Sequence, residues 1–416
     1  MIAKNKKVVL DNGLRLLFIP HVGSNVSSIG FAVNAGSYFE DAPVAGISHV
    51  VEHLISRSGK GPSLRQEIHQ IGAILDAATS ISQTYYHLFS FDEDLVDVTK
   101  TLIQSVYFPN FREEDLRFSL ESVLSEMAYT REVQEYEMLR GLMWKDHKLV
   151  KPIVGTKDSI FSLTLSDVTK YHQKLYTAKN SSVIVIGQEF PEDLEVLLKT
   201  IPNTREVKPV EMDASVKKPS YKVFQDGNLR SALTLGFPTR GYRGLGEDRH
   251  IFNLAATILK SQFNQQLGKY GLIYDVDWTW NVFPDTGDFI IVLEDLSDDR
   301  LLAVTEKCLS LLSNWREVSV SQSEFDSIKK HRILRIKIGE SLIEALPLFT
   351  KNFSSSEDAH TYDETIGVYT AATIDDTYAT LAKVLLSDKP YVVVNLGVNS
   401  VPLLGKVNQL LEDYYR

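Results

Sequence analysis

The sequence predicts an α+β protein of two similar domains, each a mainly antiparallel sheet with helices packed on it, facing each other across a cleft like a clam shell. Three observations lead there. The chain of 416 residues is longer than a domain with a single hydrophobic core usually is. A polar stretch containing proline and lysine, without periodicity, lies near the middle of the chain. The order of strand-like and helical segments repeats on its two sides. We therefore predict a first domain at 1–203, a linker at 204–220 and a second domain at 221–416.

The first half alternates strand and helix patterns. Short apolar runs flank the turn signal Asp11-Asn12-Gly13, and GISHVVEHLIS then reads as a helix without proline. A second helix, SLRQEIHQIGA, ends at Gly72, and the Thr- and Tyr-rich stretch from Thr79 to Phe91 predicts a strand. A long helical region follows from Asp92 to about Arg140, broken by Pro109, before the strand SSVIVIGQ.

The second half repeats this order. The strand-like segments YKVFQD and SALTLGFP precede a helix through HIFNLAATILKSQFNQQLG, and two further strands follow at IYDVDWTWNV and GDFIIVLED. Helices then lead to the strand YVVVNLG at 391–397, which matches SSVIVIG of the first half. The similarity is one of element order, which favours two α+β domains of related architecture.

Composition excludes several classes of function. The net charge of −10 and a pI of about 5.6, with scattered Lys and Arg, give no basic footprint for nucleic acid. The sequence contains no run of eighteen apolar residues, so it predicts no membrane-spanning helix. The single cysteine, Cys308, excludes a thiolate-rich zinc site, so a metal here must use His and carboxylate ligands. No signal peptide is visible, which predicts a bacterial cytoplasmic location, or the mitochondrial matrix if a presequence has been removed.

The segment HVVEH carries the clearest chemistry. His49 and His53 are four residues apart, so on a helix they lie on one face, one turn from each other, and can reach one metal ion. Glu52 borders the same face. This is the inverse of the H-E-x-x-H arrangement, which places two histidine ligands and a general-base Glu on one helical turn. A Zn²⁺ ion with one further protein ligand would keep a position for water, whose proton Glu52 can take.

These residues and their surroundings resemble the pitrilysin/insulinase zinc peptidases, in particular the short two-domain branch related to the mitochondrial processing peptidase. The segments NAGSYFEDAPVAGISHVVEHLISRSGK and QIGAILDAATSISQTYY match the family's approach to an inverted zinc motif and the segment after that motif. KPIVGTKDSI and YHQKLYTAKNSSVIVIG resemble the end of its first domain, and SQFNQQLGKYGLIYDV resembles a segment of its second. The resemblance covers nearly the whole chain and implies a zinc metalloendopeptidase.

The family's third zinc ligand is a Glu on a later helix, and the resemblance assigns it to Glu126 in ESVLSEM. By residue type alone other carboxylates remain alternatives: Glu121, Glu132, Glu135 and Glu137.

Two positions depart from the family pattern. Many members carry a supporting Glu seven residues before the ligand, where this chain has Ser119. The family's second domain commonly offers an Arg and a Tyr seven residues apart that polarise the substrate carbonyl. Tyr274 is present, with a role in holding the oxyanion implied, but the Arg position is Leu267.

The missing Arg leaves two interpretations: either Tyr274 suffices alone, or a partner subunit supplies the pair. The resemblance to the processing-peptidase branch implies the second, with this chain as the catalytic subunit of a heterodimer and a homologous zinc-free partner that supplies an Arg–Tyr pair; a homodimer is the alternative. The substrate implied is a peptide or flexible segment. The resemblance implies that its backbone pairs with the strand that holds Asp76 and Ala77. There the Asp either favours basic residues in the substrate or is a carboxylate of a turn or strand edge without a role in binding. A hypothesis of a different class is a non-catalytic peptide-binding or scaffold subunit of a peptidase complex, which Ser119 and Leu267 favour.

Overall fold

The computed structural model describes most of the chain. The described residues are 6–21, 23, 25–57, 63–129, 133–145, 147–203, 215–225, 227, 230–243, 245–268, 271–273, 275–313, 320–341 and 362–416.

Strands and helices alternate along both halves of the chain. Strands β1 to β11 are, in order, Lys6–Val9, Arg15–Pro20, Val26–Val33, Ile74–Thr79, Thr84–Phe91, Ser181–Gly187, Tyr221–Phe224, Ser231–Arg240, Asp277–Val282, Thr286–Leu296 and Tyr391–Asn395. Helices α1 to α14 are, in order, Ile47–Arg57, Leu64–Gln70, Leu95–Tyr107, Glu113–Tyr129, Val133–Met143, Lys157–Ser162, Leu165–Leu175, Glu192–Leu198, Asp248–Phe263, Asp298–Ser313, Gln322–Ser341, Tyr362–Ala371, Ile374–Val384 and Leu404–Tyr415.

The first compact unit is built on a six-stranded sheet in the order β1-β2-β6-β3-β5-β4. Its pairs are antiparallel apart from the parallel pair β2–β6. Strand β3 crosses the middle of the sheet, and its alternate residues Ile29, Phe31 and Val33 are fully buried against the helices. Helix α1 packs into the same core through Val50, Val51, Leu54 and Ile55, which leaves its remaining face for polar side chains. Strand β4 is the edge of this sheet.

The second compact unit is built on a five-stranded sheet in the order β7-β11-β8-β10-β9. The pair β7–β11 is parallel and the others are antiparallel. Its core contains Phe237, Phe252, Phe263 and Phe289 together with Cys308, which is buried as a small apolar side chain. The prediction of an α+β fold with two similar, mainly antiparallel units is confirmed.

Helix α5 belongs to the second unit although it precedes the end of the first in sequence. Leu139 of α5 packs against Gly236 of β8, and the backbone of 143–145 pairs with that of 215–217. Of the predicted linker at 204–220, residues 204–214 lie outside the described part of the chain.

Two local predictions need correction. The strand predicted from Thr79 to Phe91 is a hairpin in the structure: β4 ends at Thr79, a turn follows, and β5 begins at Thr84. The turn is stabilised by the Ser80 hydroxyl, which donates to the carbonyl of Gln83 over 2.9 Å, a local side-chain hydrogen bond that competes with a continuous strand. The helical region from 92 to 140 has its predicted break at Pro109, between α3 and α4, but its described residues form three helices rather than two, with α5 as the third. Among the described helices, none combines the length and apolar character that crossing a bilayer needs.

Candidate metal centre

The N-terminus of α1 is held by a buried carboxylate. The backbone N–H groups of Gly46 and Ser48 donate to the carboxylate of Glu40 over 2.7 and 3.0 Å, and the Ser48 hydroxyl donates to it as well. The first amides of a helix have no partner within the helix, so Glu40 satisfies groups that would otherwise be buried without one. Burial raises the pKa of Glu40 to about 7, while these hydrogen bonds and the charge of Lys151 act in the opposite direction.

The loop before α1 is fixed by a second segment, residues 151–159. Lys151 donates to the carbonyl oxygen of Glu40, and the Ser159 hydroxyl donates to the carbonyl oxygen of Ala45 over 2.8 Å. Gly46 and Gly155 both have positive φ and meet closely: a Cβ at Gly155 would lie 2.4 Å from the oxygen of Ala45. The two glycines therefore allow the close approach that sets where α1 begins.

The three side chains that the resemblance assigns to zinc lie together. The Nε2 atoms of His49 and His53 are 3.2 Å apart. An oxygen of Glu126, on α4, lies 3.6 Å from the first nitrogen and 3.4 Å from the second. In a tetrahedral zinc site with ligand bonds near 2.1 Å, neighbouring ligand atoms lie about 3.4 Å apart. The triangle formed by the three atoms therefore fits one face of a zinc tetrahedron.

The other carboxylates considered from the sequence do not join this group. Glu121 is exposed on α4, and Glu132 lies outside the described residues. Glu135 is in the second unit, where its two oxygens accept hydrogen bonds from Asn395 and Thr234. Glu137 is also in that unit, where burial raises its pKa to about 7. Within the described part of the chain, His49, His53 and Glu126 are the one group whose ligand atoms converge closely enough for a metal ion.

The electrostatics of the two histidines suit metal binding. Burial lowers the pKa of His49 to about 3, and the neighbouring His53 acts in the same direction. Burial also lowers the pKa of His53, against the opposing charge of Glu126. Both imidazoles are therefore neutral near pH 7, which is the form that donates a lone pair to a metal ion.

Glu52 is buried on α1 beside the ligands. Its Oε2 accepts a 2.6 Å hydrogen bond from the hydroxyl of Thr79 at the end of β4. Burial raises the pKa of Glu52 to about 7, and the charges of Glu126 and Asp76 also raise it, whereas the Thr79 hydrogen bond and the charge of Arg65 lower it. A carboxylate with a pKa close to the working pH is suited to accept and return a proton.

A buried hydroxyl network lies behind Glu52. The Thr84 hydroxyl donates to the carbonyl oxygen of Ala35 over 2.8 Å and is also a partner of Tyr176, whose own hydroxyl lies 3.2 Å from that of Tyr86. The Thr84 hydroxyl therefore does not donate its proton to Thr79, and the hydroxyl oxygens of the two threonines are 3.5 Å apart. The short contact to Glu52 is therefore where the Thr79 proton goes.

The departures from the family pattern have visible consequences. Ser119 is fully buried, and neither its hydroxyl nor Nδ1 of His49 has a hydrogen-bond partner among the described residues. The side chain of Leu267 is buried in the core of the second unit, where it offers no donor. Tyr274 lies outside the described residues.

The two residues predicted to bind substrate lie on the edge strand β4. Asp76 is exposed and pairs across the strands with His87 of β5, while Ala77 is half-buried and packs on the helix side. Alternation along a strand therefore places these side chains on opposite faces of the sheet.

Comparison with known proteins identifies the family. Residues 18–157 match the model of the insulinase peptidase family M16, and residues 162–331 match the model of the inactive domain of peptidase M16. The chain belongs to peptidase family M16. A zinc protease from Mycobacterium leprae is 26% identical over 304 residues, covering 68% of this chain and 67% of its own. The mitochondrial-processing peptidase subunit beta of Lentinula edodes is 28% identical over 185 residues, which are 43% of this chain and 40% of that protein.

Solved structures agree with the fold. A protease from Helicobacter pylori superposes with a TM-score of 0.83 at 18% identity, covering 94% of this M16 chain and 99% of the other. A chain of complex III from Candida albicans gives a TM-score of 0.79 at 15% identity, covering 98% and 99%. The M16 fold thus occurs both in a protease and in a chain of a larger complex.

Three residues at the site were not found from the sequence: Glu40, Arg65 and Thr79. Glu40 accepts hydrogen bonds from the loop before α1, and Arg65 donates to the edge strand β4; hydrophobic periodicity does not report such contacts. Thr79 was predicted at the start of a strand, whereas it ends β4. Thr79 and Thr84 are partners across the hairpin turn, a relation that became visible only in the structure.

Proposed function

We propose that this chain is a zinc-dependent endopeptidase that hydrolyses peptides or flexible segments. The supporting observation is the convergence of two neutral imidazole nitrogens and one carboxylate oxygen at distances between 3.2 and 3.6 Å, with a second carboxylate of raised pKa on the same helix. In this proposal His49, His53 and Glu126 hold the ion.

Glu52 acts as the general base. A bound zinc ion would supply Lewis-acid chemistry, polarising a carbonyl group and making water more acidic. Oε2 of Glu52 accepts from the Thr79 hydroxyl, and the carboxylate keeps further acceptor capacity, with which it accepts the proton of the attacking water and returns it to the leaving amine. The outer edge of β4 binds the peptide backbone at Ala77, and Asp76 favours basic side chains on the opposite face.

The test compares three carboxamide variants of the purified chain. Glu52→Gln should lower kcat on a quenched-fluorescent peptide library by about 10²- to 10⁴-fold while one zinc ion stays bound per chain. Glu126→Gln should lose zinc, and Glu121→Gln, an exposed carboxylate on the same helix, should change neither property. Near-normal activity of Glu52→Gln would refute its assignment as the base, and activity unaffected by a chelator would refute the metal mechanism.

We further propose that the active form is a heterodimer with a homologous zinc-free subunit that supplies an Arg–Tyr pair. Support comes from the core position of Leu267, which cannot donate to a substrate, and from relatives that are named as subunits or found in a complex. The expected result is that activity of the chain alone is low and rises when a partner of the same family is added. Full activity of the isolated monomer would contradict this proposal.

The second candidate function is a non-catalytic peptide-binding or scaffold subunit. It is favoured by the missing partners of Ser119 and His49 Nδ1 among the described residues and by the buried Leu267. Zinc bound at one equivalent with no hydrolysis, alone or with a partner, would support it over the peptidase.

A further inference from the structure

We propose that Arg65, at the outer edge of β4, forms a binding site for a carboxylate group carried by an extended peptide. The inference deepens the proposed function and rests on it in taking a peptide as the ligand. It concerns the guanidinium group of Arg65, which in that proposal neither holds the metal ion nor accepts the proton.

The backbone of β4 presents alternate residues to its open side. In the β4–β5 hairpin the N–H of Ser80 donates to the carbonyl oxygen of Gln83 over 2.7 Å, which makes that pair a hydrogen-bonded one. Pairs alternate in an antiparallel ladder, so the main-chain groups of Leu75, Ala77 and Thr79 point away from β5. These are the groups that an added strand would pair with.

Arg65 lies at one end of this open edge. Its Nη1 donates to the carbonyl oxygen of Leu75 over 3.1 Å, which agrees with the outward direction of that oxygen. This contact satisfies the carbonyl oxygen of Leu75. The outward main-chain groups of Ala77 and Thr79, nearer to Glu52, are then the ones that an added strand would pair with. A peptide pairing along β4 therefore meets the guanidinium where its path reaches Leu75.

The guanidinium has donors beyond the one used on Leu75. Arg65 is exposed, and a guanidinium carries five N–H groups in a planar fork that matches a carboxylate. Beside it lies an open cavity of about 580 Å³ that can accept a side chain. The described residues lining this cavity are Ser63, Arg65, Gln66, His69 and Gln70.

The acidic side chain of β4 does not lie on the side of the strand that Leu75 faces. Asp76 is the nearest acidic residue along the strand, but its side chain lies on the face opposite to that of Leu75, so it does not occupy the Arg65 side. Thr79, which holds Glu52, is four residues from Leu75, a distance of about 13 Å at the rise of a strand. The carboxylate is therefore expected about two to four residues from the bond to be cleaved.

Binding is measured on the Glu52→Gln chain, which holds peptide without cleaving it. Fluorescence anisotropy compares labelled peptides that carry Glu or Gln at each of these positions. Two further peptides end at the same position, one with a free C-terminal carboxylate and one with a C-terminal amide. They show whether the bound carboxylate belongs to a side chain or to the C-terminus of the peptide. We expect the carboxylate form to bind about fivefold more tightly at low salt, the range of a solvent-exposed ion pair. Adding Arg65→Gln should remove the preference, and Arg65→Glu should replace it by a preference for Lys.

Arg117→Gln, which removes another exposed Arg of the same unit, is the matched control and should leave the preference intact. An unchanged preference in Arg65→Gln would overturn the carboxylate site while the peptidase proposal stands. Discrimination without hydrolysis by the wild-type chain, both alone and with a partner subunit of the same family, would support the site and overturn the peptidase. Failure of every peptide to bind would overturn the site itself.

Discussion

Replacement of Thr79 by Val tests how Glu52 is held. Val keeps the β-branched shape that suits a strand but removes the hydroxyl that donates to Oε2 over 2.6 Å. A hydrogen bond to a charged group contributes about 1.5 to 3 kcal/mol, which corresponds to about one to two pKa units. The donor stabilises the ionised form, so its loss moves the pKa of Glu52 further upward from about 7. At pH 7 about half of the base is ionised in the wild type and most of it would be protonated in the variant, so we expect kcat to fall about fivefold to fiftyfold.

The assay is steady-state hydrolysis of a fluorogenic peptide from pH 6 to 9, with zinc content measured on the same samples. The acidic limb of the profile should move to higher pH in Thr79→Val, so that part of the loss is recovered at pH 9, while KM and zinc content stay within about twofold. Thr79→Ser keeps the donor and should restore the wild-type profile. If Thr79→Val matched the wild type in kcat and in pH dependence, the hydrogen bond would have no part in holding the base.

Three further outcomes are expected. Solvated histidines of pKa 6.5 would weaken zinc binding about hundredfold between pH 7.5 and 5.5, whereas the lowered pKa values of His49 and His53 predict less than about tenfold in a chelator competition; a hundredfold change would refute that reading. Arg140→Ala leaves the fully buried carboxylate of Asp288 without its cation and should lower the free energy of unfolding of the second unit by about 3 to 5 kcal/mol. Arg243→Ala, at an exposed ion pair, is the control and should lower it by under about 1 kcal/mol. Thermal or urea melts followed by tryptophan fluorescence measure both, and equal effects would contradict the prediction. Metal analysis should find one zinc per chain, and two would reveal a site elsewhere.

The helix of the site was predictable because its signal is local. Eleven residues from Ile47 to Arg57 form α1, and the apolar spacing that buries Val50, Val51 and Leu54 leaves His49 and His53 on a shared face. Two imidazoles at that spacing meet wherever the helix packs, so no tertiary knowledge was needed. The structure brings their Nε2 atoms to 3.2 Å.

The third carboxylate could not be chosen by periodicity. Several Glu residues follow along α4 and α5, and the resemblance alone selected Glu126. The reason is tertiary: α4 packs against α1, whereas α5 leaves this unit and packs on the second sheet, taking Glu135 with it. The different packing of α4 and α5 decides which carboxylates reach the site, and nothing in the composition of the two helices records it.

Long-range hydrogen bonds were invisible for the same reason. Glu40 acts on an amide six residues later and Thr79 on a carboxylate 27 residues earlier, and both depend on how a loop and a hairpin turn fold back. Single-sequence patterns report which face is buried. They do not report which polar group meets which.

The two units show how little of this chemistry the fold itself specifies. The strand orders β2-β6-β3-β5-β4 and β7-β11-β8-β10-β9 are alike, with one parallel pair followed by antiparallel ones. In each unit a helix, α1 or α9, follows the middle strand and packs apolar residues into the core. The sequence of α9, DRHIFNLAATILKSQF, contains one histidine and no H-x-x-E-H, so the same packing carries no pair of ligands. The metal site therefore depends on polar side chains that packing leaves free, and these can be gained or lost while the core stays as it is.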